Sequence, residues 1–298
     1  MAEPAAAALR RDAERQSAAL PALLAESQRL AATIVLGAHG RRRPGFGESF
    51  WQYRRASPGD PLPSVDWRRS ARSDALFVRE TEWEAAQTVV LWCDRSRSMA
   101  YRSKPDLPTK LERATVLTAA TAILLNRGGG IGLLEAGDDR PRSGDAQLTR
   151  IVIGLSRALD ADSAMPPAFE AARGGRAIFV GDFFGEESRL VATVRAAADH
   201  GVTGMLLQVN DPAEDAFPFD GRVLFESMGG ALRYETDRAG AIREDYRTAL
   251  AERRGRLQEL ARATGWRFET HRTDQSAAPA LMWIARGLST VFASGARS

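Results

Sequence analysis

The chain has 298 residues, of which 44% are hydrophobic, and its formal net charge is +3. This composition excludes a disordered chain and a strong polycation, because the apolar residues suffice for a large core and the charge excess is small. A single cysteine, Cys93, excludes an internal disulfide and is typical of a protein from a reducing compartment.

Neither the start of the chain nor its most apolar segment indicates export or a membrane span. The first residues, MAEPAAAALRRDAERQ, mix acids with bases and lack the continuous apolar stretch of a signal peptide. The segment VLTAATAILL at 116–125 is much shorter than the roughly 20 residues that a spanning helix needs. We therefore expect a cytoplasmic protein without a membrane partner.

Three regions are predicted along the chain, at residues 1–40, 41–85 and 86–298. In the first, leucine and isoleucine recur at about helical spacing as far as Ile34, which predicts a helical segment. The second is rich in arginine and aromatic residues and is interrupted by glycine and proline. We expect it to form an irregular subdomain with a strand at 76–84.

The third region predicts a doubly wound, mainly parallel α/β sheet flanked by helices. The apolar run 88–93 is typical of a strand buried on both faces. A helix over 110–126 is expected to end at Gly128–Gly130, because glycine tolerates the positive φ of a helix cap. Further strands are predicted at 131–137, 176–181, 202–209, 222–226, 231–234 and 266–270, and helices at 146–159, 186–200, 239–264 and 277–289. Strands separated by helices of this length indicate βαβ crossovers.

Two acidic residues follow strands of this sheet, at the edge where open α/β folds bind ligands. Asp94 comes after 88–93, and Asp182 comes after 176–181. Asp94 also begins the pattern Asp-x-Ser-x-Ser with Ser96 and Ser98. One carboxylate and two hydroxyls suit a hard cation such as Mg²⁺, which takes oxygen ligands. The same residue types are ordinary helix caps and turn formers, so the spacing alone leaves both interpretations open.

The stretches DRSRSM at 94–99 and VGDFF at 180–184 resemble the metal-ion-dependent adhesion site of the von Willebrand factor A fold. The resemblance implies that a divalent cation, most simply Mg²⁺, is bound directly or through water by Asp94, Ser96, Ser98 and Asp182. Such a site also takes a threonine from a loop between the two motifs, for which Thr149 and Ser143 are candidates. Neutral serines leave the metal electron-poor, which favours an acidic side chain from a protein partner.

The two arginines within the motif, Arg95 and Arg97, bear on this prediction. Guanidinium groups that point towards the cluster would repel a cation. Guanidinium groups that point outwards would attract an acidic partner. The sequence does not decide between these directions.

A longer stretch, GFGESFWQYRRASPGDPLPSVDWRRSARSDALFVRE at 45–80, resembles the signature of the bacterial domain-of-unknown-function family 58. The matching residues are Gly45, Gly47, Phe50, Tyr53, Gly59, Asp60, Asp66, Trp67, Ala71 and Arg72. Members often accompany AAA+ ATPases of the MoxR type. The resemblance implies a non-enzymatic adaptor that assists such an ATPase in the assembly or maturation of client proteins and uses its cation site to engage a client acid. The chain has no G-x-x-x-x-G-K-[ST] loop with which to hydrolyse ATP itself.

Two other functions stay open from the residues alone. A metal-dependent phosphohydrolase could use Asp94 and Asp182, although aspartate-nucleophile phosphatases place a second acid where this chain has Ser96. A nucleic-acid binder could use residues 41–79, which hold nine arginines, four acids and interleaved aromatic residues. Because those acids can pair with many of the arginines, we expect that nucleic acid is not the partner and that the chain is not an enzyme.

Overall fold

The computed structural model describes residues 21–34, 50–55, 77–81, 87–126, 129–134, 140–157, 159, 161–170, 172–227 and 233–292. Residues 21–34 are helical, as predicted, and form helix α1. Strands β1 (Phe50–Arg55) and β2 (Phe77–Thr81) pair antiparallel in a small sheet of their own. Strand β1 lies in a segment expected to be irregular. Most of the arginine-rich and aromatic segment 41–79 lies outside the described residues.

The main sheet has five parallel strands and confirms the predicted α/β fold. The strands are ordered β4-β3-β5-β6-β9 across the sheet. Their bounds are Gln87–Cys93 for β3, Gly129–Leu133 for β4, Arg176–Gly181 for β5, Thr203–Asn210 for β6 and Arg267–Arg272 for β9. From β3 the chain moves outwards to β4 and then returns to pair β5 on the other side of β3. The strand order therefore reverses between β3 and β5, and ligand-binding crevices of open α/β sheets form at such a point.

Helices cover both faces of this sheet. The helices after α1 are α2 (Lys110–Leu125), α3 (Asp145–Leu155), α4 (Glu187–Asp199), α5 (Pro212–Ala216), α6 (Arg243–Ala263) and α7 (Ala277–Phe292). Alternate residues of β3 enter two separate cores, with Leu91 in the core shared with α2, α3 and α7, and Trp92 in the core shared with α4 and α6. Strands β7 (Val223–Glu226) and β8 (Arg233–Thr236) form an antiparallel pair outside the main sheet.

Helix α1 packs on the first of these cores. Leu23, Leu30 and Ile34 contact it, Ala31 is buried within it, and the Ser27 hydroxyl donates to the backbone oxygen of Val116 in α2 at 3.4 Å. The helical part of the first predicted region is thus joined to the third region through apolar contacts. The proposed boundaries at residues 40 and 85 stay a prediction.

The prediction that glycines 128–130 cap α2 is wrong. The helix ends at Leu125, with Asn126 as its C-cap in a right-handed helical conformation. Gly129 and Gly130 instead begin β4. A Cβ on Gly130 would lie only 3.3 Å from atoms of Pro141, so glycine lets this edge strand run close to the segment before α3. The physical reason is tertiary packing, which the local pattern does not record.

The other element bounds shift by a few residues. The long helix expected over 239–264 begins as a short 3₁₀ turn at Ala239–Ile242 and becomes α-helical only from Arg243. Within the described ranges, no helix has the length and apolar character needed to cross a membrane.

Candidate metal centre

Asp94 lies at the carboxyl end of β3, at the reversal point of the sheet. Its backbone N–H donates to Val180 at 2.8 Å, which extends the pairing of β3 with β5 by one residue. The carboxylate atom Oδ1 then accepts the backbone N–H of Ser96 at 2.9 Å. A 3₁₀ turn at Arg97–Ala100 follows, with Met99 completely buried beneath it. These contacts hold the first motif in one conformation.

Asp182 lies at the carboxyl end of the neighbouring strand β5. Its atom Oδ1 accepts the backbone N–H of Phe184 at 3.0 Å, and its backbone oxygen accepts from Gln208 of β6 at 2.9 Å. A Cβ on Gly181 would lie 2.7 Å from the Cβ of Asp94, so glycine is needed for the two aspartates to come this close. Phe183 has a φ of 54°, which turns the chain sharply after Asp182.

The structure brings the four predicted ligand residues together. The hydroxyl oxygens of Ser96 and Ser98 are 3.1 Å apart, and the Ser98 hydroxyl donates to Asp182 Oδ2 at 2.8 Å. Asp94, Ser96 and Asp182 are buried, whereas Ser98 is partly exposed. We call Asp94, Ser96, Ser98 and Asp182 the aspartate–serine cluster. Ser98 is the most exposed member of the cluster, so solvent reaches the cluster most easily at Ser98.

A lysine that the sequence analysis missed lies in direct contact with this cluster. The ammonium of Lys110 donates to Asp182 Oδ2 at 2.9 Å and to Glu214 Oε1 at 2.6 Å, and its side chain is only 1% exposed. Lys110 is the first residue of α2, behind the N-cap Thr109. A cation in the first turn opposes the helix macrodipole, and that conflict is the one local signal that could have drawn attention to it.

Glu214 comes from the segment NDPAED, to which the sequence analysis assigned no chemical role. It is the third residue of α5, where its Oε2 accepts the backbone N–H of the N-cap Asp211 at 2.9 Å in a capping box. The opposite carboxylate oxygen holds Lys110. Asp211 also accepts the backbone N–H of Ser103 through Oδ2 at 2.9 Å, which fastens the loop before α2 to α5. The capping box of α5 therefore orients Glu214 towards the buried ammonium of Lys110.

The electrostatics of the site leave it short of positive charge. Three carboxylates, of Asp94, Asp182 and Glu214, surround a single ammonium. Burial, and then the charge of Asp182, raise the pKa of Asp94 to about 7. Burial also raises the pKa of Glu214, against the opposing effect of Lys110. Burial alone would lower the pKa of Lys110, but the charges of Asp182 and Glu214 outweigh it and raise that pKa above its usual value. If all four groups are ionised, their charges sum to −2.

The donor set fits a hard divalent cation. Asp94 Oδ2 is buried and has no hydrogen-bond partner, although a buried carboxylate oxygen normally has one. Two hydroxyl oxygens and a second carboxylate lie in the same cluster. Oxygen ligands of this kind suit Mg²⁺, which would balance the two surplus charges and raise no conflict with the neutral serines.

The third hydroxyl expected from the resemblance is not found at either candidate. Thr149 Oγ1 donates to the backbone of Asp145 within α3, and its side chain is exposed. Ser143 is exposed in the segment just before that helix. Among the hydrogen bonds of the described residues, neither hydroxyl reaches the aspartate–serine cluster. The tertiary structure places the ammonium of Lys110 against Asp182 instead.

The two arginines of the motif are engaged elsewhere. The buried guanidinium of Arg95 donates to the backbone oxygens of Gly154 and Arg157 at the end of α3. The half-exposed Arg97 pairs with Asp162 at 3.5 Å. These contacts direct the buried Arg95 to the end of α3 and Arg97 to Asp162. Of the two, Arg97 lies at the surface, where an acidic partner could approach.

Arg253 of α6 holds the turn that positions Asp182. Its guanidinium donates to the backbone oxygen of Phe183, at 2.8 Å from Nε, and to that of Gly185 at 2.6 Å. We expect Arg253→Met to lower the free energy of unfolding by about 1–3 kcal/mol, since two part-buried carbonyls lose a charged donor. Urea denaturation monitored by circular dichroism measures the change.

The matched control for Arg253 is Arg256→Met. Arg256 lies on the same helix but is exposed and pairs with Glu187. A surface pair of this kind contributes little to stability, so the loss in Arg256→Met should be clearly smaller. Equal losses in the two variants would contradict the role assigned to Arg253.

Comparison with known proteins places this geometry in context. The model of the family described as "Protein of unknown function DUF58" matches residues 52–256. The uncharacterized protein Rv1480 of Mycobacterium tuberculosis is 26% identical over 279 residues, which cover 85% of this chain and 81% of the relative. The uncharacterized protein Mb1516 of Mycobacterium bovis has the same identity and coverage.

One solved structure that resembles the chain is that of the conserved hypothetical protein BatB from Bacteroides thetaiotaomicron. It is 17% identical, has a TM-score of 0.41, and the match covers 69% of this chain and 98% of that one. An aerotolerance-related membrane protein from Bacteroides fragilis is also 17% identical with a TM-score of 0.41, over 67% of this chain and 98% of that one.

Proposed function

Since this chain belongs to the DUF58 family of proteins of unknown function, we propose that it is a non-enzymatic, cation-dependent interaction protein. Its aspartate–serine cluster would bind a divalent cation, Mg²⁺ in the simplest case, and the bound cation would engage an acidic side chain of a protein partner. The observation that carries this proposal is the buried, unpartnered oxygen of Asp94 beside two hydroxyls and a second carboxylate at the reversal point of the sheet.

Each residue of the cluster has a distinct part in this proposal. Asp94 Oδ1 is held by the N–H of Ser96, so Oδ2 is the lone-pair donor that a cation would take. The hydroxyls of Ser96 and Ser98 are neutral oxygen ligands. Asp182 contributes a further negative oxygen, directly or through water. Mg²⁺ usually completes its oxygen ligands from outside the protein site, so a carboxylate of the partner could take a position that water would otherwise fill.

We further propose that the partner is a MoxR-type AAA+ ATPase, a client protein with an exposed acid, or both, and that they meet in the cytoplasm during assembly or maturation of the client. Support comes from the signature at 45–80 and from the absence of a phosphate-binding loop in this sequence. The half-exposed Arg97 next to the cluster would add a second attraction for an acidic partner.

The phosphohydrolase alternative has less support. The position of a phosphatase proton donor is taken by Ser96, whose hydroxyl lies against Ser98. Turnover of generic phosphoesters that is lost in Asp94→Asn would nevertheless reverse this choice.

Calorimetric titration with Mg²⁺ and Mn²⁺ tests the proposal. We expect the wild-type chain to bind one cation, and Ser96→Ala or Ser98→Ala to weaken binding on the order of tenfold or more, since each loses one oxygen ligand. The matched control is Ser188→Ala, whose exposed hydroxyl donates to Glu186 and not to the cluster.

A pull-down with the MoxR-type ATPase from the same genome, with Mg²⁺ or with a chelator, tests the partner. Capture that requires Mg²⁺ and fails in Ser98→Ala supports the adaptor role. Cation binding without any capture would contradict the choice of partner, and a wild-type chain that binds no cation would contradict the metal centre.

A further inference from the structure

Lys110 places a permanent positive charge where a bound cation would need negative charge. Its ammonium and the Ser98 hydroxyl donate to the same atom, Asp182 Oδ2, at 2.9 and 2.8 Å. The side chains of Lys110 and Asp182 are 1% and 0% exposed, so solvent screens this contact very little. A divalent cation bound at Asp182 would therefore lie close to a buried ammonium and be repelled by it.

A second carboxylate, that of Glu214, is also hydrogen-bonded to the ammonium. Glu214 Oε1 already accepts from it at 2.6 Å, and Glu214 is fixed through its second oxygen by the N–H of Asp211. The ring of Phe184 lies 5.2 Å from the ammonium and adds a weaker cation–π contact. An ammonium released from Asp182 thus keeps a charged hydrogen bond without moving into solvent.

We propose that Lys110 is the built-in counter-ion of the aspartate–serine cluster, and that a divalent cation entering the cluster displaces its ammonium from Asp182 onto Glu214. The inference rests on the proposed function, because it concerns the same cation. Lys110 then sets the affinity and the charge selectivity of the site. A monovalent ion would bring no more charge than the ammonium already supplies, whereas a divalent ion repays the lost contact with Asp182.

Glu214 has a defined part in this exchange. It holds the ammonium in both states, at the first turn of α5, and so lowers the cost of releasing Asp182. Its effect on cation binding must therefore pass mainly through Lys110, and it should largely vanish when the lysine is absent. This dependence separates a counter-ion pair from two residues that merely pack in the same core.

The experiment compares Mg²⁺ affinity, by calorimetric titration, in wild type, Lys110→Met and Lys110→Gln. We expect both variants to bind Mg²⁺ on the order of tenfold to a hundredfold more tightly than wild type, because a competing buried charge has been removed. Lys110→Gln keeps a hydrogen-bond donor for Asp182 and serves if Lys110→Met does not fold. The control Lys104→Met removes the same charge from an exposed position just before α2 and should leave affinity unchanged.

A double-mutant cycle tests the role of Glu214. Glu214→Gln, which retains the capping side chain, should weaken Mg²⁺ binding on the order of tenfold in the wild-type background and by much less in the Lys110→Gln background. Glu259→Gln, at an exposed position of α6, is the control for loss of one carboxylate.

The outcomes separate this inference from the proposed function. Wild-type Mg²⁺ binding with equal or weaker binding in folded Lys110 variants overturns the counter-ion role and leaves the proposed function standing. Tighter binding in both Lys110 variants supports the counter-ion role, even if wild type binds Mg²⁺ only weakly. The absence of Mg²⁺ binding in every variant overturns both.

Discussion

Replacing Asp182 with alanine is expected to lower the free energy of unfolding by about 3–5 kcal/mol, because the change breaks a buried ion pair and leaves one partner behind. The ammonium of Lys110 would keep only Glu214, and the Ser98 hydroxyl and the Phe184 N–H would lose their acceptors. Chemical denaturation at neutral pH measures the loss. The same variant should show no stabilisation on addition of Mg²⁺.

The control for Asp182 is Asp162→Ala, at the same end of the sheet. Asp162 pairs with Arg97 at 3.5 Å, and both side chains are substantially exposed, so the expected loss is below about 1 kcal/mol. If Asp182→Ala cost no more than this control, Glu214 alone would be sufficient for Lys110, and the pair with Asp182 would not be central to the site.

Asp94→Asn is expected to stabilise the cation-free protein at pH 8 by about 3–4 kcal/mol relative to wild type. The folded-state pKa of Asp94 is raised from its ordinary value of 3.8 to about 7, chiefly by burial and then by the charge of Asp182. At a pH between 3.8 and about 7, the carboxyl of Asp94 keeps its proton in the folded state and loses it in the unfolded state. The stability of wild type should therefore fall as pH rises from about 4 to about 7, and asparagine removes this contribution.

Denaturation curves for both proteins from pH 4 to pH 8, with and without Mg²⁺, measure the effect. The difference between them should be small at pH 4 and largest at pH 8 in a chelator. Saturating Mg²⁺ should restore the stability of wild type at pH 8, because it stabilises the ionised carboxylate of Asp94. It should leave the stability of Asp94→Asn unchanged. Asp106→Asn, at an exposed position, is the control. A pH-independent difference between wild type and Asp94→Asn would contradict the assignment.

The parallel sheet could be predicted because it is encoded locally. Runs such as 89–93 and 177–181 have no polar side chain, and helices long enough for crossovers separate them. Both runs proved to be central strands, β3 and β5, with helices on either face. The glycines after α2 misled the prediction, because glycine serves a close approach of backbones as readily as a helix cap, and the sequence does not distinguish the two uses.

The grouping of Asp94, Ser96, Ser98 and Asp182 was also accessible from the sequence. The carboxyl ends of parallel strands meet at one edge, so residues that follow two such strands are brought together by topology alone. The local pattern could not supply the third hydroxyl, and neither Thr149 nor Ser143 provides it. Nor could the local pattern predict where the arginines of the motif point, because Arg95 donates to carbonyls that lie far away in the chain.

By itself, the sequence determined the α/β fold and the edge of the sheet where the site lies, since periodicity and strand ends are local properties, and the resemblance of residues 45–80 indicated the family. Only the tertiary structure decided what charge the site contains. Lys110 joins Asp182 and Glu214 across separations of 72 and 104 residues. In isolation, Lys110 and Glu214 are residues in the first turns of two capped helices, and Asp182 is a residue that follows a strand. A buried charge acquires its partners from the packing of distant segments, and no spacing along the chain encodes that encounter.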